Sequence, residues 1–189
     1  MIYWARHCQT TGQDPEAPLT QQGHQQARRL AEFIREFGIE RIVSSPYLRA
    51  LQSIQPFAEL SGCEIETDAR LTERVLSRAP VQDWKDALRK SFENQNYSLP
   101  SGETGSTAAD RAEAVFNECI LRRRTTIVVS HGNLTALLLT RLGHAISFEA
   151  SLRLTNPDLF RIEWSGCGYD IIRIWDDALS EPNQGHFEA

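Results

Sequence analysis

Three short stretches of this chain place charged or nucleophilic side chains directly after apolar runs. They are Arg6-His7 after Ile2–Ala5, Ser44-Ser45-Pro46 with Arg49 after Ile42-Val43, and Ser130-His131-Gly132 after Ile127–Val129. A guanidinium presents a planar fork of N–H donors that suits phosphate oxygens, and an imidazole can serve near neutral pH as nucleophile, base or donor. Two arginines and two histidines brought together beside helix N-termini would form a strong anion site, with a phosphate group as its natural ligand. Taken singly, each signal is weak, because an Arg-His pair on a surface and a His that caps a strand are both common. The chemistry depends on their convergence.

Convergence requires that the three apolar runs be neighbouring strands, since open α/β sheets bind ligands at their C-terminal strand edge. The patterning is of that kind. Residues 2–6 form a short buried strand. Thr20 can cap a helix whose apolar positions Ala27, Leu30, Ala31, Ile34 and Phe37 keep helical spacing, with Gly38 as its stop. A strand at 41–44 leads into a helix over roughly 46–61, with Pro46 in its first turn and Gly62 at its end. Residues 63–67 alternate as an edge strand would, and Pro80 is placed to open a helix carrying Trp84, Leu88 and Phe92. Polar residues 94–106 read as loop, and a helix from Ser106 buries Ala109, Ala112, Val115, Phe116, Cys119 and Ile120. Residues 125–130 form the clearest buried strand, followed by a helix over 133–142, and 159–164 and 169–175 flank a Gly-containing hairpin turn. The expected fold is α/β: a three-layer sandwich in which a mixed, mostly parallel sheet carries helices on both faces. One domain over 1–189 is expected, with a lid or insertion at 74–106 and a C-terminal tail at 177–189.

With 189 residues, 41% hydrophobic and 24% charged, the chain falls among ordinary globular proteins. A formal charge of −5 and a pI near 5.6 offer no general attraction to nucleic acid or to an anionic membrane. No apolar run approaches the roughly 20 residues of a membrane span. The first residues lack the pattern of a secretory signal, so the expected location is the cytoplasm. Cys8, Cys63, Cys119 and Cys167 are scattered without metal-ligand spacing, so free thiols are expected, with no metal and no cofactor.

In order and spacing, five segments resemble the histidine phosphatase (phosphoglycerate mutase-like) superfamily. Arg6-His7 resembles its Arg-His-Gly signature, and Leu19-Thr20-Gln21-Gln22-Gly23 with Gln26-Ala27 resembles the segment that opens its first helix. Ser44-Ser45-Pro46-Tyr47-Leu48-Arg49-Ala50-Leu51-Gln52 resembles Ser-Ser-Pro-x-x-Arg-Ala-x-Gln-Thr, Leu71-Thr72-Glu73 the proton-donor segment, and Val129-Ser130-His131-Gly132 the second histidine motif. The resemblance implies a metal-independent phosphoric monoester hydrolase in which His7 becomes a phosphohistidine, Glu73 moves the protons, and His131 shares the catalytic work. Arg6, Arg49, His131 and Gln13 would hold the phosphate. Gln13 stands where relatives commonly have Asn. The implied partner is a small phosphorylated metabolite or phosphate; oligomeric state is not readable.

Cys8 departs from the family, which usually has Gly after the nucleophile. It is either a tolerated substitution, one that weakens activity, or a thiol switch whose pKa the surrounding positive charge lowers. Glu103 resembles the family's Gly-Glu-Ser segment, with a structural role the preferred reading. Arg70, Arg74 and Arg78 are expected on a solvated helix face, Trp84 and Phe92 in the core, and His24, His144 and His186 outside the site. Loops 9–18, 75–105 and 144–157 are expected to line the entrance. Two alternatives stand beside hydrolysis: phosphoglycerate mutase activity, which the short interval between Glu73 and Ser130 disfavours, and a catalytically silent phospholigand-binding module.

Overall fold

The computed structural model describes residues 1–175. Its centre is a six-stranded sheet of β1 (Ile2–Arg6), β2 (Arg41–Ser44), β3 (Ile65–Thr67), β4 (Thr126–Ser130), β5 (Asp158–Trp164) and β6 (Tyr169–Arg173), in the order β3-β2-β4-β1-β5-β6. The first four strands run parallel, and β5 and β6 add an antiparallel hairpin beside β1. The helices are α1 (Gln21–Ile34), α2 (Leu48–Ser61), α3 (Trp84–Glu93), α4 (Gly105–Leu121), α5 (Gly132–Arg141) and the single turn α6 (Phe148–Ser151).

The two periodicities of the chain account for the three layers. Strand side chains alternate across a sheet, so Ile2 and Trp4 of β1 join Val128, Phe160 and Ile162 in a core closed by α4 and α5. Tyr3 and Ala5, with Ile42, Ile127, Val129 and Leu159, face the opposite core, closed by Leu30, Ala31 and Ile34 of α1 and Ala50, Ile54 and Phe57 of α2. Both faces of β1 and β4 are therefore buried, which is why these strands read as continuous apolar runs. The expected sandwich, with its edge strand β3 and its 165–168 hairpin turn, is what the chain forms. Among the described residues, no helix is long and apolar enough to cross a membrane.

Several boundaries differ from expectation. Thr20 does cap α1, its hydroxyl accepting the Gly23 N–H at 2.9 Å, but the helix ends at Ile34 rather than continuing through Phe37. Gly38, at φ 63°, turns the chain, and Phe37 reaches the same core from beyond the helix, stacking on Tyr3. Pro46 and Pro80 open neither helix: α2 starts at Leu48 after Tyr47, and α3 at Trp84 with Asp83 accepting the Asp86 N–H. Arg70, Arg74 and Arg78 do not share a helix, because only a 3-10 turn at Ala69–Leu71 forms there. Arg74 is buried, donating to Ser91 Oγ and to the Glu103 and Tyr97 carbonyls, so it ties the chain after Glu73 to the α3 region. Phe92 packs against the α4/α5 core, as expected, whereas Trp84 is only half-buried. The expected tail at 177–189 lies outside the described residues.

Candidate active site

β1, β2 and β4 end side by side, and the residues immediately beyond them meet at this edge. Arg6 pairs with Ser130 across the sheet, and the His7 N–H donates to the Ser130 carbonyl at 3.0 Å. On the other side Asn156 donates from Nδ2 to the His7 carbonyl at 2.7 Å, so the backbone of His7 is gripped from both neighbours. The loop that follows is fixed by the Leu19–Ala27 segment: Gln26 Oε1 accepts the Gln9 N–H, and the Thr20 N–H reaches the Gln9 carbonyl. Gly23 is needed for this contact, since a Cβ there would fall 2.0 Å from the Gln9 oxygen.

His7 is buried, and its Nδ1 lies 2.7 Å from the carbonyl of Cys8. A carbonyl can only accept, so Nδ1 carries the proton and Nε2 keeps its lone pair. Burial, reinforced by the positive charge of Arg6 and Arg49, holds the imidazole well below its ordinary pKa, so it is neutral at physiological pH. The result is an imidazole with its nucleophilic nitrogen free.

His131, which begins α5, is fully buried with its ring centroid 5.1 Å from that of His7. Ser45 Oγ accepts the Tyr47 N–H at 3.3 Å and lies 2.8 Å from His131 Nε2. The Ser45 hydroxyl proton has no other acceptor among the described residues, and given to Nε2 it leaves the imidazole proton on Nδ1. Burial and then the neighbouring His7, Arg49 and Arg6 keep His131 well below its ordinary pKa as well.

The two arginines are braced from behind. Arg6 Nη1 donates to the Leu154 carbonyl at 2.6 Å, and its guanidinium lies flat against Gly132, where a Cβ would come within 3.1 Å of Cζ and Nε. Asp158, opposite Arg6 in the β1/β5 pairing and fully buried, accepts from the Thr155 N–H and from Arg173. Burial pushes the Asp158 carboxyl up, and Arg173 opposes the shift. Arg49, on the first turn of α2, donates Nη1 to the carbonyls of Gln13 and Asp14 and lies over the Tyr47 ring. Burial lowers both guanidinium pKa values, yet guanidinium groups stay charged in proteins.

Glu73 closes the site. Its carboxylate accepts three backbone N–H groups, from Arg74 and Leu134 on Oε1 and from Asn133 on Oε2, which seats it on the N-terminus of α5. Arg111 donates to the carbonyls of Arg70 and Thr72 while Glu103 holds its fork bidentately at 2.7 and 2.9 Å, and Ser130 Oγ bonds the Leu71 carbonyl. The segment presenting Glu73 is thus clamped to β4 and α4, and Glu103 has the structural role preferred from sequence. Arg74 meets Glu73 through its backbone; its guanidinium points to other partners, so the pair is not a surface ion pair.

Arg6, His7, Gln13, Glu73, Gly132 and Asn133 line one side of a cleft of about 470 Å³ including its open mouth; Leu88, Ser151 and Leu152 line the other. Each of the three loops expected at the entrance contributes to it. The Gln13 side chain is exposed at the cleft wall, while its carbonyl serves Arg49. At Cys8 the environment bears on one of the three alternatives. Its thiol is fully buried with Leu19 and Ala27, and burial pushes its pKa up to about 12, against the weaker effect of Ser53, so a lowered-pKa switch is ruled out. The backbone of Cys8 has no positive φ, so glycine is not required there. Asn156, Asp158, Ser45 and Arg111 support the site without any role assigned from sequence; only Ser45 lay within a recognisable motif.

Three nitrogens around His7 are buried with no hydrogen-bond partner: Arg6 Nε, Arg49 Nε and His131 Nδ1. Each such group costs on the order of 1–3 kcal/mol if it stays unsatisfied, so the arrangement is tuned to an anion with several acceptor oxygens.

A family model described as the histidine phosphatase superfamily (branch 1) matches residues 2–177. Among curated proteins, a probable phosphoglycerate mutase, GpmB, of Proteus mirabilis is 31% identical over 210 aligned positions, covering 95% of this chain and 97% of its own. The protein of that name from Enterobacter sp. (strain 638) is 32% identical over 182 positions, covering 86% and 84%. Among solved structures, a mycobacterial glucosyl-3-phosphoglycerate phosphatase complexed with VO3 superposes with a TM-score of 0.73 at 20% identity, over 93% of this chain and 98% of that one. Phosphoserine phosphatase from Entamoeba histolytica, complexed with 3-phosphoglyceric acid, gives 0.75 at 19% identity, over 94% and 98%. These structures share the fold.

Proposed function

Because the chain belongs to the histidine phosphatase superfamily, we propose that it is a metal-independent phosphatase that hydrolyses small phosphate monoesters through a phosphohistidine on His7. The observation that carries this reading is the set of three partnerless buried nitrogens, Arg6 Nε, Arg49 Nε and His131 Nδ1, gathered around an imidazole whose Nε2 is free. A phosphoryl group bound there meets donors for its equatorial oxygens and a nucleophile for its phosphorus.

In the first step His7 Nε2 bonds to phosphorus as the ester P–O bond breaks, and Glu73 gives its proton to the departing alkoxide oxygen. In the second, Glu73 as carboxylate takes a proton from water, the water oxygen bonds to phosphorus, and the P–N bond returns its electrons to His7. Arg6 and Arg49 supply the positive charge a bound metal ion would otherwise provide. Gln13, at the rim, reaches toward the phosphate with its amide, and the segment 74–106 serves as the lid of a single domain. The buried orientation of the Cys8 thiol supports turnover over silent binding, because that side chain lies outside the cleft.

The names of the curated relatives favour a second reading, a phosphoglycerate mutase. The two reactions part in one assay: release of inorganic phosphate from an aryl phosphate at pH 5–8 with chelator present, for the native chain and His7→Ala, each checked for folding by thermal melt. Unaided, chelator-resistant release abolished by His7→Ala supports the phosphatase. Interconversion of phosphoglycerates activated by bisphosphoglycerate, with negligible phosphate release, overturns it.

A further inference from the structure

We infer that the cleft is built for a phosphate ester whose alcohol part is uncharged and hydroxylated, of the polyol or sugar type, and that Asn133 reads one of its hydroxyls. The inference rests on the phosphatase reading above and concerns the part of the cleft beyond the phosphate.

The side-chain carbonyl of Asn133, Oδ1, is buried and has no partner. Its residue lines the cleft, and its backbone N–H is committed to Glu73 Oε2 at 3.0 Å. The unpartnered acceptor therefore belongs to a cleft-lining residue whose own backbone holds Glu73, the group that protonates the leaving oxygen. An acceptor oxygen in that place is satisfied by a hydroxyl hydrogen and repels a carboxylate or a second phosphate.

Among the described residues that line the cleft, Arg6 is the sole cation, and it belongs to the phosphate end. On the helix that carries Leu88, Arg89 is engaged elsewhere: it pairs with Glu149 at 3.4 Å and stacks on Phe148. Arg74 and Arg111 spend their donors on Ser91, Glu103 and backbone carbonyls. The wall itself is Leu88 and Leu152 with Ser151, the last residue of α6, a surface that suits carbon-bound hydrogens and one further hydroxyl. A second anion would be left there without a counter-charge.

The test compares two three-carbon esters that differ in one group, glycerol 3-phosphate and 3-phosphoglycerate, with an aryl phosphate as reference, in the native chain and in Asn133→Ala. Expected is a kcat/KM at least tenfold higher for glycerol 3-phosphate, narrowed at least fivefold in Asn133→Ala by loss on that substrate. Equal use of the two esters, or preference for 3-phosphoglycerate, alongside normal aryl phosphate hydrolysis overturns this inference alone. A preference that survives Asn133→Ala removes Asn133 as its reader. Absence of aryl phosphate hydrolysis in a folded native chain overturns the phosphatase reading itself.

Discussion

Replacing Cys8 with glycine exchanges the one departure in the Arg-His-Gly-like signature for the residue the family usually carries there. The backbone of Cys8 makes two bonds that matter here: its N–H donates to Ser53 Oγ at 2.8 Å, and its carbonyl holds His7 Nδ1. Both survive the change, so the nucleophile keeps its tautomer, and kcat/KM on an aryl phosphate should stay within roughly twofold of the native value, about 0.4 kcal/mol in barrier. Stability should respond instead. Removing a fully buried thiol from beside Leu19 and Ala27 costs about 1 kcal/mol, and the added freedom of glycine in the unfolded chain costs up to about 1 kcal/mol more. A sum of about 2 kcal/mol corresponds to a melting temperature lower by roughly 4–8 °C for a chain of this size. The assay pair is phosphate release and a thermal melt on the same preparation. A tenfold or greater gain in turnover, with or without a stability change, would refute the reasoning, because it would mean that the Cys8 side chain throttles the site.

Ser45→Ala removes the hydroxyl that fixes the His131 proton on Nδ1; kcat/KM should fall by about tenfold to a hundredfold and inhibition by inorganic phosphate should weaken, whereas an unchanged phosphate inhibition constant would remove Ser45 from this role. In the ligand-free protein, His7 and His131 both have folded pKa values below the ordinary 6.5, so the unfolded chain binds more protons as pH falls through that value. The melting temperature should therefore decline from pH 7 toward pH 5, and the His7→Ala/His131→Ala double variant should show a flatter profile; an equally steep profile would sink the assignment. Glu103→Gln loosens the fork of Arg111 that holds the carbonyls of Arg70 and Thr72, and should cost about 2 kcal/mol in urea unfolding together with a lower kcat from a slackened Glu73. Loss of neither would mean that the clamp is idle.

The parts of this fold that were legible in the sequence are those whose causes are local. Thr20 announces its helix because a hydroxyl caps N–H groups three residues on, and the apolar runs of β1 and β4 declare strands buried on both faces. Arg6-His7, Arg49 and His131 were readable because each ends or directly follows a strand or lies in the first turn of a helix, whereas Glu73 was read from its resemblance to the proton-donor segment. What escaped was set by distant partners. Asn156 and Leu154 reach His7 and Arg6 across 149 and 148 positions, and nothing in their own neighbourhood marks them. Arg74 looked like a surface residue because its burial depends on Ser91 and Tyr97, 17 and 23 positions further along the chain. The thiol-switch alternative for Cys8 had the same origin: proximity in sequence to Arg6 and His7 suggested positive charge, while the thiol turns toward Leu19 and Ala27.

The two sides of the cleft have unequal freedom to vary. Arg6, His7, Gly132 and the Glu73 perch are anchored to strand ends and helix starts, so an exchange there disturbs the sheet and the chemistry together. Leu88, Ser151 and Leu152 sit on one helix and one turn outside the sheet, where a lineage or an engineer can exchange side chains without touching the bond-breaking apparatus. A protein divided in this way can change what it dephosphorylates by small surface edits while the reaction itself is inherited intact.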